Sequence, residues 1–331
     1  MHIFIAGASG TIGHTLIPYL IKQGHTVTGT TRSSAKADAL RALGAKPAIM
    51  DGLDAASVLA AVEAAKPDAI LHEMTALHGM NPRQKPDRVF AVTNRLRTEG
   101  TEHLLAAARQ AGVKKFVAQS YAGWPYARSG GLIKSENDPL DPTPPRGIEE
   151  THAAIRQLER MVVDAGGVVL RYGGFYGPGS GLTRDGDQTR MVRARKFPLV
   201  GGGTGIWSFI EITDAATATL AAVTRGAPGV YNVVDSDPAP VAEWLPYLAR
   251  VAGAKPPLRV PAWVGRLLAG EFVVTQMTTG RGSSNDKARK YLGWEPRYAS
   301  WREGFRAWVM GRQLRRRTHL AAAPPPATLA R

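Results

Sequence analysis

A chain of 331 residues with 44% apolar side chains and no cysteine is long enough for a full sheet-and-helix domain plus a smaller lobe, and it excludes disulfides, cysteine-ligated zinc and thiol catalysis. No run of about 18 apolar residues interrupts it, so no membrane partner is expected, and strand-forming residues begin at once, which leaves no room for a signal peptide and points to the cytoplasm. The net charge of +15 suggests nucleic acid until its placement is considered: residues 302–331 hold seven arginines and one glutamate, the segment 311–331 reads as a basic, disordered tail, and no nucleic-acid partner is expected.

Residues 2–6 (HIFIA) suit a buried strand and run directly into GASGTIG, followed by the helically spaced HTLIPYLIKQG. Strand, glycine turn and helix in that order form the setting for a dinucleotide phosphate site. Gly7 permits the tight turn, Gly10 lets the backbone approach a pyrophosphate, and Gly13 lets the helix pack against the strand. Ser9, Thr11 and Ile12 supply the remaining backbone of the loop, whose free N–H groups and helix dipole favour an anion. After the second strand, at 26–30, the sequence reads TVTGTTRSSAK, with no acid before Asp38. An acid there would hold the ribose 2′-hydroxyl of NAD; Arg32, with Ser33 and Lys36 behind it, instead suits the 2′-phosphate of NADP. NADP is therefore expected over NAD. Asp51, after a third strand at 46–50, suits either the adenine amino group or the cap of the next helix.

Further strands are expected at 68–72, 115–119 and 168–172, with helices at 35–43, 55–65, 95–111 and 148–165. This alternation indicates βαβ units and a parallel sheet. The expected fold class is α/β, a Rossmann-type doubly wound parallel sheet over 1–172 with a smaller C-terminal substrate-binding lobe over 173–310. That lobe contains helices at 210–225, 241–252 and 259–270, and a late strand near 229–234 returns to the sheet.

Taken together, GASGTIG, Asp51, TNRLRTEGTEHLLAAARQAGVKKFVAQS (93–120), LRYGGFYGPGSG (170–181), FIEITDAA (209–216) and YLGWEP (291–296) resemble the extended short-chain dehydrogenase/reductase superfamily, in its NAD(P)-dependent epimerase/dehydratase group. The resemblance covers nearly the whole chain. It implies a catalytic Ser or Thr, then Tyr-x-x-x-Lys on a helix, with the tyrosine passing a proton and the lysine lowering its pKa. Ser120 matches the hydroxyl residue. Glu159 fixes the helix 148–165, and counting back puts Thr151 at the tyrosine position and Ile155 at the lysine position. Residues 135–165 contain neither a tyrosine nor a lysine.

The cofactor site is therefore retained while the usual proton donor is lost. Tyr121 and Tyr126, after Ser120, are substitute donors or pocket wall, with Tyr126 preferred; His152 is another, or an exposed helical histidine. An arginine that commonly holds a diphosphate in this group is replaced by Ile206 and Trp207. Trp124, Tyr126, Phe175, Tyr176 and Trp207 suit an apolar or aromatic substrate pocket, or fill the lobe's core. Asp214 reads as a helix cap. His72 and His78 edge the cofactor groove, and no metal site is expected. Together these residues lead to the expectation of an NADPH-dependent reductase of a small, largely apolar carbonyl or enone. Alternatives are an epimerase or dehydratase, or a non-catalytic NADP-sensing protein. A homodimer through 95–111 and 148–165 would be usual for the superfamily.

Overall fold

The computed structural model describes residues 1–77, 86–123 and 125–311; His78, Trp124 and the tail from residue 312 lie outside them. The strands are β1 (His2–Ala6), β2 (Thr26–Thr31), β3 (Lys46–Ile49), β4 (Ala69–His72), β5 (Lys115–Tyr121), β6 (Ile133–Lys134), β7 (Val168–Tyr172), β8 (Gly174–Tyr176), β9 (Leu199–Val200), β10 (Ile206–Trp207), β11 (Phe209–Glu211) and β12 (Gly229–Val233). Seven of them form one parallel sheet in the order β12-β7-β5-β4-β1-β2-β3. From β1 the chain builds outward through β2 and β3, then returns to place β4 on the other side of β1. The reversal opens a crevice at the carboxyl ends of β1 and β4, where doubly wound sheets take their ligands.

The helices that cover the sheet are α1 (Thr11–Lys22), α2 (Ala37–Ala42), α3 (Ala55–Ala65), α4 (Pro86–Arg97), α5 (Glu99–Gln110), α6 (Glu149–Asp164) and, beyond α7 (Asp187–Arg193) of the second lobe, α8 (Ile212–Arg225). Side chains alternate along β1 with period two. Ile3 and Ile5 pack with Leu16 and Leu20 of α1 and Ala218 and Ala222 of α8. Phe4 and Ala6 pack on the opposite face with Val58, Leu104 and Leu158 of α3, α5 and α6. The segment 95–111, expected as one helix, is two: Thr98 breaks the line with ψ −81° and turns its hydroxyl back to the Asn94 carbonyl at 3.0 Å. That break sets α4 against α6 while α5 covers β4 and α3.

A separate aromatic core holds the second lobe, with Phe209 edge-on to Trp244 at 5.3 Å and to Phe305 at 5.4 Å. Asp214 does not cap α8, as the sequence suggested. Glu211 takes that place, accepting from the Thr213 and Asp214 N–H groups, while the Asp214 carboxylate accepts from Arg297 N and Tyr298 N at 2.9 Å each. It thus pins the returning C-terminal segment to the sheet domain.

Candidate cofactor and substrate site

The glycine turn is shaped by close approach. Gly7 has φ +93°, and a Cβ there would lie 2.7 Å from the Glu73 carbonyl carbon. Its N–H donates to Thr30 Oγ1 at 3.0 Å, which joins the turn to β2. A Cβ on Gly13 would lie 2.6 Å from the Ala8 backbone, so α1 sits directly against the turn. Gly10 is the N-cap, without a side-chain hydrogen bond to the helix and without an acid in the first turn. The positive end of α1 is therefore open to an anionic group. Ser9 lies beside it half-buried, whereas the Ile12 side chain belongs to the core. Thr11 Oγ1 donates to the Gly179 carbonyl at 3.2 Å and ties a loop of the second lobe over the start of the helix.

At the end of β2, Arg32, Ser33 and Lys36 are exposed, and Arg32 has no hydrogen bond or ion pair to another described residue. Ser33 N donates to Thr31 Oγ1 at 3.2 Å, which curls the backbone so that Arg32 follows the strand without interruption. Asp51 is exposed and accepts from Leu53 N at 3.0 Å; Asp54 caps α3, so the capping alternative for Asp51 does not hold. Backbone that no side chain can replace, an open helix end and a free cation together fit a dinucleotide phosphate chain.

The carboxyl end of β5 is arranged differently from the expectation of an open catalytic hydroxyl. Ser120 is buried, and its Oγ donates to Glu159 Oε1 at 2.6 Å. Arg171, on the neighbouring β7, grips the same carboxylate with two bonds, Nε to Oε1 at 2.7 Å and a terminal nitrogen to Oε2 at 2.5 Å. Its other terminal nitrogen donates to Tyr126 Oη at 2.7 Å, and Tyr126 Oη donates to Asn232 Oδ1 at 2.7 Å. Burial pushes the Tyr126 phenol up to about 12, against the opposing pull of Arg171. Both hydroxyls are thus committed inward to a buried ion pair.

The catalytic-helix positions hold no free acid or base. Ile155 is buried. Thr151 Oγ1 donates to Asp87 Oδ1 at 2.6 Å and accepts from Asn94 Nδ2 at 3.0 Å. His152, for which exposure was the plainer expectation, is buried with Nε2 3.1 Å from the Pro125 carbonyl, because α6 turns that face into the fold. Tyr121 is half-buried, and burial pushes it up to about 12 while the charge of Arg97 acts downward.

His72 is neutral: burial lowers it to about 4, its Nδ1 accepts from Met74 N and its Nε2 faces the Leu96 carbonyl at 3.1 Å. Beside it, Glu73 is buried directly beneath Gly7. Tyr172 Oη donates to its Oε1 at 3.2 Å, Oε2 has no partner, and burial pushes the acid up to about 8. Among the described residues no three His, Asp or Glu side chains converge as a metal site.

Of the expected pocket aromatics, Tyr176 is core. It is fully buried, edge-on to Phe305 at 5.5 Å, and a Cβ on Gly304 would lie 2.0 Å from its ring. Phe175 is half-buried at 5.5 Å from Tyr172, and Trp207 is half-buried against Trp244 at 4.8 Å with Nε1 donating to Gln276 O at 3.0 Å. Sequence reasoning overlooked Glu73, Arg97 and Arg171. Glu73 and Arg171 are charged residues at or in apolar strand runs, a signal that would have found them, whereas Arg97 stands among polar residues (TNRLRTEG).

Comparison with known proteins gives a consistent lineage. The sequence model of the NAD dependent epimerase/dehydratase family matches residues 3–233. A 3-diazoavenalumate denitrifying reductase from Streptomyces sp. is 45% identical over 308 residues, covering 92% of this chain and 99% of that protein. A 4-hydroxy-2-methyl-3-oxo-4-farnesyl-3,4-dihydroquinoline-1-oxide ketoreductase from Stigmatella aurantiaca is 29% identical, covering 77% and 74%. Among solved structures, the UDP-glucose 4-epimerase of Thermotoga maritima superposes with a TM-score of 0.73 at 21% identity, covering 93% and 97%, which is a likeness of fold.

Proposed function

The chain belongs to the NAD-dependent epimerase/dehydratase family and is a nicotinamide-dependent oxidoreductase; from that premise we propose that it is an NADPH-dependent reductase whose hydride acceptor is an arenediazonium, converted to the arene with loss of N2. One observation carries the reading: the helix that should present a proton donor offers a saturated Thr151 and a buried Ile155. Reduction of a carbonyl requires a proton at oxygen. Reduction of a diazonium requires none. A C–H bond forms at the carbon bearing nitrogen, the C–N bond breaks, and its electron pair leaves with N2, so cation plus hydride give two neutral products. The 45%-identical relative, named for the reduction of a diazo compound, supports this class of acceptor.

The bound nicotinamide supplies the hydride. The protein's part is to hold both reactants in line and dry, an effect that alone accounts for several kcal/mol of barrier. The Gly7–Gly13 turn and the start of α1 would hold the pyrophosphate, Arg32, Ser33 and Lys36 the 2′-phosphate, and Asp51 the adenine amino group. Ser120, Tyr126 and Arg171 are positioning residues: they fix the end of β5 against β7 and α6. A carbonyl or enone acceptor is the second reading, supported by the ketoreductase relative.

The test follows the hydrogen. The protein is incubated with 4-diazoniobenzoate and NADPH carrying deuterium at the transferable position, then with ordinary NADPH in D2O, against a protein-free control. The expected product is benzoate with one deuterium from the labelled cofactor and none from D2O. Retention of both nitrogens in the product refutes the reading. Turnover confined to ketones or enones, the latter acquiring solvent deuterium at carbon, moves the protein to the second reading.

A further inference from the structure

Arg97, the last residue of α4, is a buried cation without a counter-ion among the described residues. It is 8% exposed, and among the described residues its guanidinium makes one hydrogen bond, to Asn94 Oδ1 at 3.3 Å, and no ion pair. Glu159 acts on it electrostatically, yet both oxygens of that carboxylate are engaged by Arg171, with Ser120 sharing one. Asn94 in turn is held by Thr151, so the contact that orients Arg97 is itself anchored on α6. Burying an unpaired charge costs several kcal/mol, and a chain that keeps one has a use for it. The guanidinium lies where α4, α6 and the end of β5 meet, and its charge acts on Tyr121, the residue that closes that strand.

We propose that Arg97 is an anion subsite at the floor of the substrate cleft, receiving the carboxylate of an aryl acid and so orienting the ring whose carbon accepts the hydride. The planar fork of the side chain has unused N–H donors for a two-point bond to a carboxylate. A carboxylate there completes the ion pair that the fold leaves open. The desolvation cost of that carboxylate would be offset by its pairing with the guanidinium. This subsite rests on the reductase reading for the identity of the reacting ring, while its affinity for aryl acids stands independently of turnover.

The experiment is calorimetric binding to the full chain saturated with NADP⁺ at pH 7.5, with benzoate, cinnamate and 4-hydroxycinnamate, each beside its neutral primary amide. Wild type, Arg97→Lys and Arg97→Met are compared, with circular dichroism to establish folding and a separate NADPH titration. Wild type is expected to prefer at least one acid over its amide by about tenfold or more. Arg97→Met should abolish that preference, Arg97→Lys should keep part of it, and NADPH affinity should change by less than about threefold in both. Equal binding of acid and amide by wild type, or no binding of any acid, overturns the proposal. So does a loss of NADPH affinity in Arg97→Met with the acid preference intact, which would assign the cation to the cofactor. If Arg97→Met fails to fold, the wild-type and Arg97→Lys comparison decides. A preserved acid preference in a protein inert toward 4-diazoniobenzoate leaves the subsite standing and refutes only the diazonium reading.

Discussion

Replacement of Glu73 by glutamine should stabilise the cofactor-free protein near neutral pH, and by an amount that depends on pH in a calculable way. The folded carboxyl is pushed by burial from 4.5 to about 8, with Tyr172 Oη on one oxygen and nothing on the other. Between those values the unfolded chain has released the proton and the folded chain keeps it, so folding takes up a proton and stability falls as pH rises. At about 1.4 kcal/mol per pH unit, the whole window amounts to about 5 kcal/mol, and roughly 3 kcal/mol of it is already lost at pH 7. Glutamine keeps the shape and the neutral state without this loss. Urea unfolding of wild type and Glu73→Gln from pH 4 to pH 9 should give curves that coincide at the acid end and separate through neutrality, with the variant more stable. Contributions from His72 and Glu211, also displaced by burial, are common to both proteins and cancel in the difference. A flat difference, or a less stable variant at pH 7, would refute the reasoning by showing that the ionised carboxylate has a partner in solution.

Gly7→Ala should abolish NADPH binding, since the new Cβ meets the Glu73 backbone, whereas Gly24→Ala, with open space around it, should cost only about 1 kcal/mol of stability from its positive φ; fluorescence titration and thermal melting separate the two. Arg32→Ala should weaken NADPH by roughly 10- to 100-fold and leave NADH unchanged, as removal of a phosphate-binding guanidinium requires; equal loss for both cofactors would remove Arg32 from the 2′-phosphate. Glu159→Gln should lower unfolding free energy by about 3–5 kcal/mol, because it strands Arg171 in the interior. Tyr126→Phe should cost only about 1–2 kcal/mol and leave the rate of hydride transfer within a few-fold, measured by single-turnover loss of NADPH absorbance; a collapse of that rate would restore Tyr126 as the proton donor.

The sheet was legible because its signals are local. Strands at 2–6, 46–50 and 168–172 are short apolar runs bounded by turn residues, and they differ from β1, β3 and β7 by at most one residue. The glycine turn was legible for a stronger reason: its geometry is a property of backbone that glycine alone allows. What the sequence did not disclose is direction. Ser120, near the end of its strand, faces Glu159, and Tyr126 loops back to Arg171 and Asn232, partners distant in sequence whose meeting depends on how β5, β7, β12 and α6 assemble. Asp214 looked like a cap because it stands near the start of a helix, yet Glu211, three residues earlier, has the cap geometry. Tyr176 looked like pocket wall until Gly304 was found to leave room for its ring in the core. Arg97 lies in the 93–120 segment that carries the family resemblance, but its burial, and that of Glu73, is visible only in three dimensions.

On the proposed reading, Arg97 and the Glu159–Arg171 pair account for a site that works without the tyrosine and lysine. General acid–base help is worth about 10²- to 10⁴-fold in rate, and a fold gives it up at low cost only if the acceptor needs no proton. A diazonium meets that condition, and departure of N2 removes any return path, so the remaining task is placement. Placement calls for rigid strand ends and a handle on the ring. The inward-facing network of Ser120, Glu159, Arg171 and Tyr126 supplies the first by cross-bracing β5, β7 and α6. On the proposed reading Arg97 supplies the second, as a buried positive charge beside the Glu159–Arg171 pair. Burial holds Tyr121 and Tyr126 near 12, so neither ionises in the working range. On the proposed reading the site holds an anionic ring rather than moving a proton, the division of labour that hydride transfer to a departing-nitrogen acceptor requires.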